Sequence, residues 1–159
     1  MADNGDAQAQ CLMGLRFSSG SDATQDLVQA AEWYRKAADQ NYPVAQFNLG
    51  IMLAEGQGVK RDDAAAIGWI RRAAQAGDAG AQYNLGLRCH RDSVSHEPTG
   101  AIESRIEAYK WFQLAAAQGY KDSATSRARV MSNMTHADVA EANHRATVFQ
   151  LTNESAPAA

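Results

Sequence analysis

The chain has 159 residues, of which 45% are apolar and 21% charged, a composition that supports one folded domain rather than a disordered tail. A net charge of −3 and a pI near 5.8 leave no basic footprint, which argues against nucleic acid or an anionic membrane as partner. No apolar run is long enough to span a bilayer, and the opening MADNGDAQAQ has neither the basic nor the apolar region of a signal peptide.

Taken in order, residues 4–17 predict a helix with Ala9, Leu12, Met13 and Phe17 at helical spacing and Asp6 near its start. Ser18-Ser19-Gly20-Ser21 breaks it. The second helix spans 25–39, with Leu27, Ala30, Ala31, Tyr34, Ala37 and Ala38 as its apolar face, and Asn41-Tyr42-Pro43 leads into the third. Helices follow over 44–55, ending in Gly56-Gln57-Gly58, and over 62–76, ending at Gly77. A fifth covers 79–91. The polar stretch 92–100 then reads as an irregular loop before a sixth helix over 103–118, closed by Gly119. Residues 122–134 predict a seventh helix. Thr135 with Asp138 three residues on forms a variant capping box for an eighth over 136–150, whose apolar face is Val139, Ala142, Ala146 and Phe149. Residues 152–159 read as a disordered tail.

These helices repeat. Ala9, Gln10 and Gly14 recur 36 residues later as Ala45, Gln46 and Gly50, and after another 36 as Ala81, Gln82 and Gly86. Trp33 and Ala37-Ala38 return as Trp69 and Ala73-Ala74, then at an offset of 42 as Trp111 and Ala115-Ala116, so six residues are inserted in the third copy. Fixed-period similarity marks stacked supersecondary units. The units run over about 5–40, 41–76 and 77–119, with a partial fourth at 120–134 and a capping helix at 135–150, all within one domain over 1–151. A mid-helix glycine is unfavourable by about 1 kcal/mol relative to alanine. Gly14, Gly50 and Gly86 are therefore expected where the partner helix's backbone comes close. The alanine pairs do the same from the other side. Trp33, Trp69 and Trp111 are expected to bury against neighbouring units.

The pattern A-Q-x-x-L-G-x-x-x-x-x-G-x-G-V-x-x-D-x-x-x-A-x-x-W, running from Ala45 to Trp69, resembles a Sel1-like repeat, a relative of the tetratricopeptide repeat. The resemblance implies an all-α fold, an α/α superhelical solenoid of helix hairpins with a C-terminal capping helix. It also implies an adaptor that binds other proteins, often in bacteria. Two departures stand out. Unit one has Ser18-Ser19-Gly20 in place of the Gly-x-Gly-Val turn, and unit three has the insertion.

If the arrangement follows tetratricopeptide units, the first helix of each hairpin lines the concave side. Phe47, Ile51 and Glu55 of the second unit, with Tyr83, Leu87, His90 and Arg91 of the third, then form an apolar stripe with a polar edge. Such a stripe suits an unidentified peptide or protein. The competing reading is that Phe47 and Tyr83 only pack between units. A homo-oligomer through the uncovered first helix is a further possibility.

Chemistry has little support. His90, His96, His136 and His144 have no partner ligands at metal spacing, so no metal or cofactor is expected. Gly56-Gln57-Gly58 follows a helix and lacks a Gly-Lys-Ser/Thr pattern, so it reads as a turn far more readily than as a phosphate loop. No nucleophile elbow or Cys/His pair with an orienting acid is recognisable, so catalysis is not expected. The alternative is a hydrolase or small-ligand site near 90–100, where His90, Arg91, His96 and Glu97 gather. Cys11 and Cys89 occupy unrelated positions of the repeat and read as small core residues rather than a disulfide framework. With no signal peptide, a cytoplasmic protein is favoured as the chain stands, or a periplasmic or secreted one if a leader was trimmed.

Overall fold

The computed structural model describes residues 5–20, 25–95, 98–120 and 122–154. Among these are eight α-helices and no strand: α1 (Ala7–Ser19), α2 (Leu27–Asp39), α3 (Pro43–Glu55), α4 (Asp63–Gln75), α5 (Ala79–Ser95), α6 (Pro98–Ala117), α7 (Ser123–Met131) and α8 (His136–Glu154). The fold class is the expected all-α one. The helices fall into two compact units divided between Asp78 and Ala79. The first holds the hairpins α1/α2 and α3/α4; the second holds α5/α6, α7 and α8.

Local chemistry sets the helix ends. Asp6, Asp26 and Asp62 each accept a hydrogen bond from an otherwise orphaned N–H, those of Gln8 (3.0 Å), Gln29 (3.0 Å) and Ala65 (2.9 Å). Each second helix closes in a Schellman motif. The N–H groups of Tyr42, Asp78 and Tyr120 donate to Ala37, Ala73 and Ala115, and those of Asn41, Gly77 and Gly119 to Ala38, Ala74 and Ala116. Asn41 (φ 62°), Gly77 (φ 93°) and Gly119 (φ 73°) supply the left-handed residue this closure needs.

The first helices end differently. Gly20 (φ 66°) and Gly56 (φ 70°) are left-handed caps of α1 and α3, so the first unit keeps the leading glycine of its turn despite its different sequence. The equivalent position in the third copy is Asp92. With no glycine to take the left-handed conformation, α5 runs on to Ser95, and α6 starts at Pro98 instead of near 103. The expected loop over 92–100 is thus largely helix that lengthens both arms of the hairpin. His96 and Glu97 lie outside the described residues.

The seam of every hairpin is a glycine under a bulky side chain. A Cβ added to Gly14 would stand 2.6 Å from the Tyr34 ring, one on Gly50 2.7 Å from Ile70 Cγ1, and one on Gly86 2.6 Å from the Phe112 ring. This corrects the expectation that backbone is what comes closest: a side chain is nearest at all three, with backbone next at Gly50, where the Ala66 carbonyl is 3.2 Å away. Tyr34, Ile70 and Phe112, each following a tryptophan, are buried, while Trp33 and Trp69 are half-buried under Lys36 and Arg72. A second correction concerns α1. Its buried residues are Gln10, Cys11 and Gly14, because the Gly14–Tyr34 seam selects that face; Leu12, at helical spacing with Ala9, Met13 and Phe17, is 56% exposed.

The recurring glutamines are buried, and two of the three pair with a second glutamine across the hairpin. Gln40 Nε2 donates to Gln10 Oε1 at 2.7 Å and Gln118 Nε2 to Gln82 Oε1 at 2.9 Å. In the middle hairpin, Ala76 stands where Gln40 and Gln118 stand. Gln46 Nε2 still donates to the Ala38 carbonyl at 3.2 Å, but its Oε1 has no partner among the described residues.

In the second unit, α7 begins with Ser123 in the slot that Ala45 and Ala81 fill, fully buried and with its hydroxyl unpaired among the described residues. The capping box forms as expected: Asp138 accepts from Thr135 N–H at 2.9 Å, and Thr135 Oγ1 accepts from Asp138 N–H at 3.2 Å. That first bond holds the Asp138 carboxyl below its usual range. Ala142 and Ala146 are buried, and Phe149 meets Trp111 edge-on at 5.4 Å. Arg145 of α8 ties back to α6 through Glu103 and Glu107, and to Glu141 of its own helix. Its hydrogen bond is the main reason the Glu103 carboxyl titrates below the usual range. The helix continues to Glu154, so 152–154, expected in a disordered tail, are helical. Residues 155–159 lie outside the described set.

Two predictions follow from this packing. Gly86→Ala should lower stability by about 1–3 kcal/mol through overpacking against Phe112. Gly68→Ala in α4, where a Cβ meets nothing within 4 Å, should raise it by about 1 kcal/mol. Equal effects of the two in urea denaturation would contradict the seam. Ser123→Ala and Ala76→Gln, which remove or pair a lone polar atom, should each add about 1 kcal/mol. An increased urea midpoint at unchanged m is the readout.

Candidate partner-binding site

The seven residues expected on the concave side divide between the two units. In the first, α3 buries Ala45, Gln46, Leu49, Gly50, Met52 and Leu53. Helical spacing leaves Val44, Phe47, Asn48, Ile51 and Glu55 on the other side, with Phe47, Asn48 and Ile51 half-exposed and Glu55 exposed. Beside this face lies a cavity of about 320 Å³, lined by Ser18, Gln25, Leu27, Tyr34, Asn48, Ile51, Met52 and Gln57. The Tyr34 hydroxyl is 3.3 Å from Ser18 Oγ, and Gln25 Nε2 donates to the Ser18 carbonyl at 2.7 Å. Burial raises the Tyr34 phenol above its ordinary range.

The second unit carries Tyr83, Leu87, His90 and Arg91 on α5. Tyr83 is half-buried, its ring 5.5 Å from Phe112 and 5.4 Å from Tyr120, with its hydroxyl 3.5 Å from Ser126 Oγ. Leu87 is 43% exposed, and Arg91 is exposed. His90 is half-buried and its Nδ1 has no partner among the described residues. Across the first helices, Leu15, Ile51 and Leu87 share one register, and none is buried. The register before it differs: Cys11 is buried, whereas Phe47 and Tyr83 are half-buried.

Gln25, Tyr34, Asn48 and Gln57 are absent from the sequence-derived set. Asn48 was within reach of it, since it shares the helical face of Val44 and Ile51. Gln25 and Tyr34 come from the neighbouring hairpin, so only the packing brings them to Ile51.

No group of three or more His, Cys, Asp or Glu among the described residues is placed to hold a metal ion. No described helix is long and apolar enough to cross a membrane. Of the alternative enzymatic cluster, His90 and Arg91 lie on α5; His96 and Glu97 fall outside the described residues.

A family model for the Sel1 repeat matches residues 7–42, 43–78 and 79–120. The chain belongs to the Sel1-repeat family. A Sel1 repeat protein from Oxalobacter formigenes is similar at 34% identity and a TM-score of 0.65, over 80% of this chain and 92% of that one. A protective antigen of uropathogenic Escherichia coli displaying an SLR fold is similar at 27% identity and a TM-score of 0.77, over 99% of this chain. The secretory immunoglobulin A-binding protein EsiB of Escherichia coli O6:H1 strain CFT073 is 44% identical over 36 residues. This Sel1-repeat chain spans 35% of the antigen's chain and 7% of the immunoglobulin-binding protein. Sel1 repeats often serve as protein-interaction scaffolds.

Burial drives the Cys11 thiol up to about 11, so at pH 8 only about a thousandth of it is thiolate. Labelling of Cys11 by a disulfide reagent should therefore await unfolding. Rapid labelling in the native protein would show that the 11/47/83 register is open at its first member.

Proposed function

We propose that this chain is a binding module that recruits a peptide or protein segment through the exposed side of the first helices of its hairpins. One observation carries the reading. Gly14, Gly50 and Gly86, the alanine pairs and the glutamines are all accounted for by packing, whereas apolar residues recur at Leu15, Ile51 and Leu87 without being buried. Apolar groups left at the surface in a fixed register fit a surface kept for a partner. Phe47 and Ile51, beside the 320 Å³ cavity, are the anchors in the first unit. Leu87, with Tyr83 beside it and His90 and Arg91 further along α5, forms the second contact area, and Glu55 gives a polar edge to the first. Family membership supports the same reading, since the fold is typically non-enzymatic. So does a relative whose name records binding of an immunoglobulin.

The test is selection of peptides from a random phage-displayed library on the full chain, followed by titration. Ile51→Arg or Leu87→Arg, in proteins with unchanged circular dichroism, should weaken the selected peptides at least tenfold, or about 1.4 kcal/mol. Unchanged affinity in both folded variants would remove these helix faces from the binding surface.

A further inference from the structure

We infer that the cavity beside Ile51 is a subsite for an uncharged, extended peptide segment that presents a carboxamide or hydroxyl side chain. The inference rests on the binding-module reading and names what the first unit takes.

The lining decides the chemistry. Ser18, Gln25, Tyr34, Asn48 and Gln57 contribute hydroxyl and carboxamide groups, Leu27, Ile51 and Met52 contribute apolar surface, and among the described residues no carboxylate, lysine, arginine or histidine lines it. A charged group entering would lose water without a counter-charge, which is strongly unfavourable. A purely apolar group would strip water from the Asn48 and Gln57 amides, which have no side-chain partner among the described residues, and pair neither. An occupant with both donors and acceptors on a short apolar stem matches both halves of the lining.

The geometry favours a peptide over other neutral ligands. Carboxamides present a donor and an acceptor on one planar group, as a peptide unit does, and three of the five polar lining residues are of that type. Asn48 is half-exposed and makes no hydrogen bond with another described residue through its side chain, so its amide is available to a ligand. Ser18 Oγ donates to the Leu15 carbonyl at 3.0 Å and lies 3.3 Å from the Tyr34 hydroxyl, so both hydroxyls keep acceptor capacity for a ligand's donor. Sugars commonly pack on an open aromatic face, but the Tyr34 ring is buried against Gly14. A volume of about 320 Å³ is at the small end of ligand pockets, enough for a side chain and its adjoining peptide unit rather than a helix.

The experiment uses the full chain, isotope-labelled, with four pools of acetylated and amidated tetrapeptides as probes. One central position is fixed as Gln/Asn/Thr/Ser, Asp/Glu, Lys/Arg or Leu/Val. The first pool is expected to shift the side-chain amide signals of Asn48 and Gln57 in NMR spectra, at least tenfold more tightly than the other pools. Asn48→Leu should abolish the remaining shift at Gln57. Gln57→Ala, at an exposed position that leaves folding intact, should weaken binding severalfold. The inference is overturned if the charged or apolar pools bind as well as the first. It also falls if N-acetylglucosamine, run as a separate probe, shifts Asn48 while no peptide does. Binding that is sensitive to Leu87→Arg but leaves the Asn48 and Gln57 signals unmoved would sink the subsite while keeping the binding module. Failure of every peptide, library-selected ones included, to bind the wild-type chain would overturn both.

Discussion

A large side chain lying over a glycine holds each hairpin of this chain together. Gly14 under Tyr34, Gly50 under Ile70 and Gly86 under Phe112 are the same contact made three times. It has no slack: any Cβ at these positions would stand under 3 Å from its neighbour, where close-packed interiors allow no such approach. Once that contact is in place, the rotation of both helices about their axes is fixed. Gln10, Gln46 and Gln82 then point inward to the end of the second helix, and the alanine pairs offer their carbonyls to the Schellman closures.

The same constraint decides what is left at the surface. With Gly50 turned inward against Ile70, α3 must present Phe47, Asn48 and Ile51 away from its own hairpin partner. Tyr34 does two jobs at once. Its ring closes the first hairpin against Gly14, and its hydroxyl reaches Ser18 at the wall of the cavity. The candidate subsite is therefore a by-product of hairpin closure, walled by residues whose main task is packing. In the second unit the α5/α6 hairpin closes with Phe112, and Tyr83 extends that aromatic contact to Tyr120.

Irregular positions show where the repeat has been relaxed. Ala76, where the other hairpins have glutamine, leaves Gln46 half-satisfied, and Ser123 brings a hydroxyl into a slot made for a methyl group. The described residues of the insertion, 92–95 and 98–100, are helix. Helix propagation needs only one more bond per residue, and Asp92 replaces the glycine that forms the left-handed cap of α1 and α3.

How far the sequence can be read follows from the range of the forces involved. Eight helices, the aspartate caps, the Thr135–Asp138 box, the glycine and alanine register and the family itself are local or periodic features. They are set within a turn or two of backbone, or by comparing one copy with the next. The sequence by itself therefore determined the repeat architecture and put Phe47, Ile51 and Leu87 on the unburied side of their helices. It misjudged Leu12 and the 92–100 stretch, where local signals were ambiguous between two helical faces or between loop and helix. Only the tertiary structure decided that a side chain is the nearest neighbour of each glycine, with backbone close behind it at Gly50. It also decided that Gln25 and Tyr34 of one hairpin meet Asn48, Ile51 and Gln57 of the next around a cavity. Those residues are up to 32 positions apart (25 to 57), and no periodic pattern encodes which side chains converge across a packed interface, because convergence depends on how deeply the two helices of each hairpin close.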